Sequence, residues 1–147
     1  MNNPSHKTSF LFVCYGNTCR SPMAVAFAQN LLHDEKYDVQ SAGIGAQAGM
    51  SASTHSINLM QKHYGIDISG HRSQNVTDLP LEGFAQIIVL DEPVGLFMQR
   101  NYPHLSEKLI AWDIADPYGT TEESYRNCAA TIQEQVAAWV KSLPNKW

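Results

Sequence analysis

A thiol at Cys14 and a guanidinium at Arg20 bracket the stretch Tyr15-Gly16-Asn17-Thr18-Cys19, and Ser21-Pro22 follow at once. Arginine presents a planar fork of donors that matches two oxygens of a phosphate. Successive backbone N–H groups in a short loop that enters a helix form an anion cradle. Gly16 permits either a positive φ or a close approach of main chain to ligand. A thiol placed among such donors is expected to ionise readily, its pKa falling from about 8.5 to roughly 3.5–7.5. The expectation is therefore a thiolate at Cys14, hydrogen-bonded by the Ser21 hydroxyl and aimed at tetrahedral phosphorus. The nucleotide-binding string G-x-x-x-x-G-K-[ST] is absent, which sets aside a nucleoside-triphosphate loop of that kind.

Other reactive side chains read differently. Asp116, followed by Pro117-Tyr118-Gly119, reads by itself as a solvated loop carboxylate or turn residue. Asp91-Glu92 precedes a helical pattern and reads as its N-terminal cap. Cys128 lies on the apolar side of a long helix and reads as core. His55, His63 and His71 fall in no H-E-x-x-H or C-x-x-C pattern, so no metal is expected.

These residues need elements to hold them. Phe10–Val13 is a continuous apolar run, as expected of a strand covered on both faces. Met23 to Leu32 is helix-forming, with Pro22 in its first turn. Val39–Gly43 reads as a second strand. Ser53–Tyr64 reads as a helix stopped by Gly65. Ile87–Leu90 predicts a third strand, Val94–Gln99 a helix, and Leu109–Trp112 a fourth strand. From Glu122 to Leu143, Tyr125, Ala129, Ile132, Val136, Trp139, Val140 and Leu143 form one amphipathic face. Alternating strands and helices predict an α/β fold, a central four-stranded parallel twisted sheet with helices on both faces. In such sheets ligands bind beyond the carboxyl ends of the strands, which is where Cys14 to Arg20 falls.

The whole-chain figures set the outer limits. At 147 residues, 44% hydrophobic and 16% charged, the chain is expected to be one globular domain over 1–147. A net charge of −4 offers no basic field for nucleic acid or a membrane surface. No stretch has the length of a signal peptide or a membrane span, and three cysteines suit a reducing compartment. The expected location is the cytoplasm.

Cys14-Tyr15-Gly16-Asn17-Thr18-Cys19-Arg20-Ser21 resembles the signature C-x-G-N-x-C-R-S of the low-molecular-weight protein tyrosine phosphatases. Ser41-Ala42-Gly43 resembles that family's S-A-G, Gly70-His71-Arg72-Ser73-Gln74 its H-x-x-R/Q segment, and Asp116-Pro117-Tyr118 its D-P-Y loop. The resemblance implies phosphotyrosine hydrolysis through a cysteinyl-phosphate. Cys14 is the implied nucleophile, Arg20 the clamp on the phosphoryl oxygens, and Asp116 the general acid and then base. Tyr15, Gly16, Asn17, Thr18, Cys19 and Ser21 form the implied phosphate-binding loop. Ser41 and His71 support it, and Tyr15 and Tyr118 form aromatic walls. No cofactor is implied.

The small-residue loop Gly45–Gly49 resembles bacterial members paired with tyrosine autokinases. A phosphotyrosine protein, such as an autokinase, is the implied partner, and a monomer or weak homodimer the implied state. Gly16 to Ala24 also reproduces the G-N-T-C-R-S-P-M-A string of related protein-arginine phosphatases, with Thr18 where tyrosine-specific members often carry isoleucine. Phosphoarginine is therefore the alternative substrate. Arsenate reductases of this fold need two more cysteines after the third strand, and Ser73–Trp112 has none. Cys14 and Cys19, five positions apart in a tight loop, are expected to form a reversible disulfide on oxidation.

Overall fold

The apolar runs do become strands, and all of them lie parallel. The computed structural model describes residues 7–32, 35–117 and 121–144. In chain order β1 (Thr8–Cys14), α1 (Arg20–Leu31), β2 (Tyr37–Gly43), α2 (Thr54–Tyr64), β3 (Gln86–Val89), α3 (Glu92–Asn101), β4 (Leu109–Ala111) and α4 (Glu122–Ser142) alternate. Three 3₁₀ turns, Val76–Asp78, Leu81–Gly83 and Pro103–Lys108, fill the connections around β3 and α3. The sheet order is β2-β1-β3-β4.

Helices cover both faces unequally. Phe10 and Phe12 of β1 pack with Met23 and Phe27 of α1, Leu59 and Met60 of α2, and Ile132, Val136 and Trp139 of α4. Leu11 and Val13 point the other way, into a cluster with Val76, Leu81, Phe84, Val94, Met98 and Leu105. Every residue from Phe10 to Val13 is fully buried, which is why β1 reads as an unbroken apolar run. Trp139 stands edge-on to Phe10 and Phe12, with ring centroids 4.9 and 5.3 Å away, and its Nε1 donates to Gln86 Oε1.

The caps match the residues that make them. Ser53 accepts from the Ser56 N–H at the start of α2, and Gly65 takes φ 66° at its end. Asp91 Oδ1 accepts from Val94 N–H and opens α3. The helix after β1 begins at Arg20 rather than near Pro22, because the loop passes directly into it at Cys19.

The register brings the carboxyl ends of all four strands of the sheet to one edge. Cys14 lies beside Gly43, Val13 beside Val89, and Val89 beside Ala111. Strand β1 is flanked by β2 on one side and β3 on the other, so the chain leaves it at the point where the winding reverses. Ligands bind at such switch points in open parallel sheets.

Candidate active site

Beyond that edge lies a cavity of about 390 Å³ lined by Cys14, Tyr15, Gly16, Thr18, Cys19, Arg20 and Asp116. Strand β1 delivers Cys14 to its floor with 2% of the residue exposed. The sulfur lies 2.9 Å from Ser21 Oγ and accepts from the Asn17 N–H at 3.2 Å. Ser21 Oγ already accepts from Asn17 Nδ2, which leaves the hydroxyl proton to face the sulfur.

Asn17 organises the loop. It is fully buried and holds φ 59°, and no other non-glycine residue among those described has a positive φ. The left-handed turn therefore falls on Asn17, and of the two options the sequence left for Gly16, a positive φ is not the one it takes. Asparagine tolerates that conformation better than most residues, especially where its amide is bonded locally. Here Nδ2 donates to Ser21 Oγ and Ser41 Oγ, both at 2.8 Å, and Oδ1 accepts from Gln74 N–H at 2.9 Å. The Asn17 carbonyl accepts from His71 Nε2 at 2.7 Å. Ser41 and His71 thus both hydrogen-bond to Asn17, one at its side chain and one at its carbonyl. Burial pushes the His71 pKa down, the bond to Asn17 pulls it up, and nearby Arg72 pushes it down again, so the neutral ring is favoured.

Gly43 explains its own identity. A Cβ there would stand 2.5 Å from the Tyr15 carbonyl oxygen and 3.0 Å from the Asn17 nitrogen. The loop lies against bare main chain, tied by Ile44 N–H to Cys14 O and Gly45 N–H to Tyr15 O. Ser53 N–H reaches Thr18 O from the other side.

Arg20 is 2% exposed, and one nitrogen, Nη1, donates both to Asp91 Oδ2 at 2.7 Å and to Ile114 O at 2.8 Å. Its Nη2 stands 3.6 Å from Asp116 Oδ2, and the Asp116 side chain is about half exposed. Burial opposes the guanidinium's charge, but the Asp91 hydrogen bond, with Cys14 and Asp116 nearby, holds it firmly charged. Asp91, read from the sequence as a helix cap, also forms the ion pair that holds Arg20. Its place just past the end of β3 was the available signal.

The sulfur departs from expectation. Burial pushes the Cys14 thiol up from its ordinary value. The Ser21 hydroxyl and N–H, the Arg20 charge and the Asn17 N–H pull it back without reversing the direction. Counting donors along the loop left out the burial that comes with a strand end, and left out Asp91, which pairs with Arg20.

The remaining residues are placed as follows. Cys19 Sγ, 3.7 Å from Tyr125 Oη and 3.9 Å from Thr18 Oγ1, lines the same cavity as Cys14. Burial, followed by the contact with Cys19, pushes the Tyr125 hydroxyl up to about 12. Tyr125, buried in the core as its place on the apolar face of α4 predicts, also stacks on His55. Cys128 is buried beneath the acid loop, its thiol 3.6 Å from Ala115 O. Pro117 is buried, while Tyr118 lies outside the described residues. Among the described residues no cluster of side chains is arranged to hold a metal ion.

A family profile described as low molecular weight phosphotyrosine protein phosphatase matches residues 9–147. The chain belongs to that family. It is 36% identical over 141 residues to the probable low molecular weight protein-tyrosine-phosphatase EpsP of Ralstonia nicotianae, covering 92% of this chain and 95% of the relative. It is 33% identical over 125 residues to a protein-arginine-phosphatase of Geobacillus stearothermophilus, covering 79% and 82%. The crystal structure of the low molecular weight protein tyrosine phosphatase from T. tengcongensis superposes with a TM-score of 0.85 at 30% identity, over 93% of this chain and all of that one. The phosphatase resemblance read from the loop and the four-stranded parallel sheet both hold.

Proposed function

We propose that this phosphatase hydrolyses phosphotyrosine in proteins, with Cys14, Arg20 and Asp116 as its catalytic residues. The observation that carries the reading is the floor of the cavity. One sulfur receives an N–H and a hydroxyl, and the cationic Arg20 and the carboxylate of Asp116 face each other 3.6 Å apart beside it.

In the first step the Cys14 thiol passes its proton to an oxygen of the bound phosphoryl group, and the sulfur bonds to phosphorus as the bond to the phenolic oxygen breaks. Asp116 gives its proton to that oxygen, so tyrosine leaves neutral. The equatorial oxygens face the loop N–H groups and Arg20, which stabilise charge in the transition state without reorganising. In the second step Asp116, now a carboxylate, takes a proton from water. The water oxygen bonds to phosphorus and the Cys14 sulfur departs, releasing inorganic phosphate. Arg20 and the main-chain donors supply the charge stabilisation, so no cofactor enters either step.

Hydrolysis of phenyl phosphate is expected to vanish in Cys14→Ser and to fall about 10²–10⁴-fold in Asp116→Asn. Undiminished turnover by Asp116→Asn removes that residue from its role. The partner we propose is a cytoplasmic phosphotyrosine protein such as a bacterial tyrosine autokinase. The EpsP likeness and the net charge of −4 support this over nucleic acid or an anionic membrane. Among the described residues no helix is long and apolar enough to cross a membrane.

Thr18 favours a second reading. It lines the cavity, and its hydroxyl places a polar group where a guanidino phosphate could be met. Phosphoarginine is the alternative substrate on that ground. Comparing kcat/KM for phosphotyrosine and phosphoarginine peptides, in wild type and Thr18→Ile, decides between them. Phosphotyrosine is expected to lead, and a dominant guanidino-phosphate activity reverses the assignment.

A further inference from the structure

Tyr15 is 61% exposed, and the outer edge of its ring lies against Gly45. A Cβ built on Gly45 would stand 2.6 Å from its Cζ and 2.9 Å from both its Cε1 and its Oη. The ring's outer edge thus occupies the space that any side chain at position 45 needs. The main chain is fixed at the same place, because Gly45 N–H donates to the Tyr15 carbonyl at 2.9 Å. Gly45 is not a conformational glycine, since the positive-φ glycines among the described residues are Gly49 and Gly65. What position 45 must supply is room.

Tyr15 also lines the phosphate cavity, and among the described residues it is the one aromatic side chain there. An exposed tyrosine ordinarily samples several rotamers, and ordering it at the moment of binding weakens association. Backing the ring with bare main chain removes that cost beforehand.

We propose that Gly45 is a specificity-determining residue. By lacking a side chain it seats the Tyr15 ring as a preformed wall for an aromatic leaving group, and so biases the enzyme toward aryl phosphates. The proposal rests on the phosphatase reading above and adds what selects the substrate. Gly45 acts through Tyr15 and touches neither phosphate nor the reacting atoms.

The test is a double-mutant cycle on phenyl phosphate, with inorganic phosphate as competitive inhibitor. Gly45→Ala and Tyr15→Ala are each expected to lower kcat/KM roughly three- to tenfold, the loss that goes with one aromatic contact. The double variant is expected to fall no further than the worse single one, because both remove the same wall. Inhibition by inorganic phosphate is expected to change less than about twofold in Gly45→Ala, since neighbouring side chains off the loop contribute little to so small an anion. Tyr15→Phe, which keeps the ring, is expected to lose less kcat/KM than Tyr15→Ala. If Gly45→Ala fails to fold, the double variant compared with Tyr15→Ala alone reads whether position 45 acts through the ring: equal kcat/KM supports the proposal and a further loss overturns it.

Losses that add in the double variant overturn the proposal. So does an unaltered kcat/KM in Gly45→Ala, or equal weakening of phosphate and phenyl phosphate. In those cases wild-type turnover leaves the phosphatase reading standing. A wild-type protein that binds inorganic phosphate but hydrolyses no aryl phosphate sinks both.

Discussion

Removing the charge of Asp91 separates two jobs that one carboxylate performs. Its Oδ2 accepts from the buried Arg20 guanidinium at 2.7 Å, and its Oδ1 accepts from Val94 N–H at the start of α3. Asp91→Asn removes the charge and leaves one acceptor oxygen, enough for the cap or for Arg20 but not both. A hydrogen bond to a charged group contributes about 1.5–3 kcal/mol, so losing the one to Arg20 is expected to cost about that much. Asp91→Ala removes both bonds. Breaking a buried ion pair costs about 3–5 kcal/mol. Asp91 keeps 21% of its side chain exposed, and water fills part of the gap. That places the alanine variant near the low end, about 3 kcal/mol with the lost cap included. Urea unfolding at neutral pH measures both.

The same variants should move the sulfur. Arg20 lowers the Cys14 pKa, and its charge is partly cancelled by Asp91. With the carboxylate neutralised, the thiol is expected to titrate lower, read by the pH dependence of iodoacetate alkylation. Turnover is expected to fall roughly ten- to a hundredfold all the same, because Arg20 is no longer held in one geometry. A more acidic thiol in a slower enzyme is the signature of a positioning residue. If Asp91→Asn alters neither urea stability nor the alkylation profile, the pairing described here does not govern the site.

Gly43→Ala forces a Cβ to 2.5 Å from the Tyr15 carbonyl, a clash with main chain, and is expected to cost about 1–3 kcal/mol and abolish phosphate binding. Gly70→Ala meets nothing within 4 Å and is expected to change stability by less than about 0.5 kcal/mol, both by urea unfolding. The depressed His71 pKa makes its share of stability full above the unfolded value, about 6.5, and loses it as pH falls toward the folded one. His71→Gln is therefore expected to flatten the decline in stability on acidification, and an equally steep decline removes His71 as its source. Mild peroxide is expected to oxidise Cys14 to the sulfenic acid, which the Cys19 thiol attacks to form a disulfide and release water. Mass spectrometry should find the linked peptide, and sulfinic Cys14 without it counts against the pairing.

Strands β1 and β3 were legible because burial on both faces removes any alternation. The parallel order followed from the helices between them. What one sequence could not display is how a single side chain divides its atoms among partners. Asp91 satisfies every rule for a helix cap, and nothing local reveals that its second oxygen faces an arginine 71 positions earlier. Tyr125 sits in step with the apolar face of α4, so periodicity assigns it to the core, although its hydroxyl reaches Cys19. Gly16 was free to take a positive φ or to let the main chain approach a ligand closely, and the left-handed turn does not fall on it. Asn17 takes it instead because its buried amide gains three hydrogen bonds by doing so.

The raised thiol need not conflict with nucleophilic attack. Transfer requires one sulfur anion, one phosphoryl group and one proton for the leaving oxygen. A thiol beside a phosphate dianion carries the same number of protons as a thiolate beside the monoanion, so a pH–rate profile alone does not tell the two apart. The free enzyme does distinguish them, because alkylation of Cys14 follows the empty pocket. Burial of the sulfur at 2% exposure, with Arg20 paired to Asp91, predicts an alkylation midpoint above that of a cysteine at an exposed helix N-terminus. Ser21→Ala takes away the hydroxyl 2.9 Å from the sulfur and is expected to raise that midpoint further. A midpoint well below neutrality in the wild-type protein would show that main-chain donors outweigh burial, and would return the loop to the simpler electrostatics its sequence suggests.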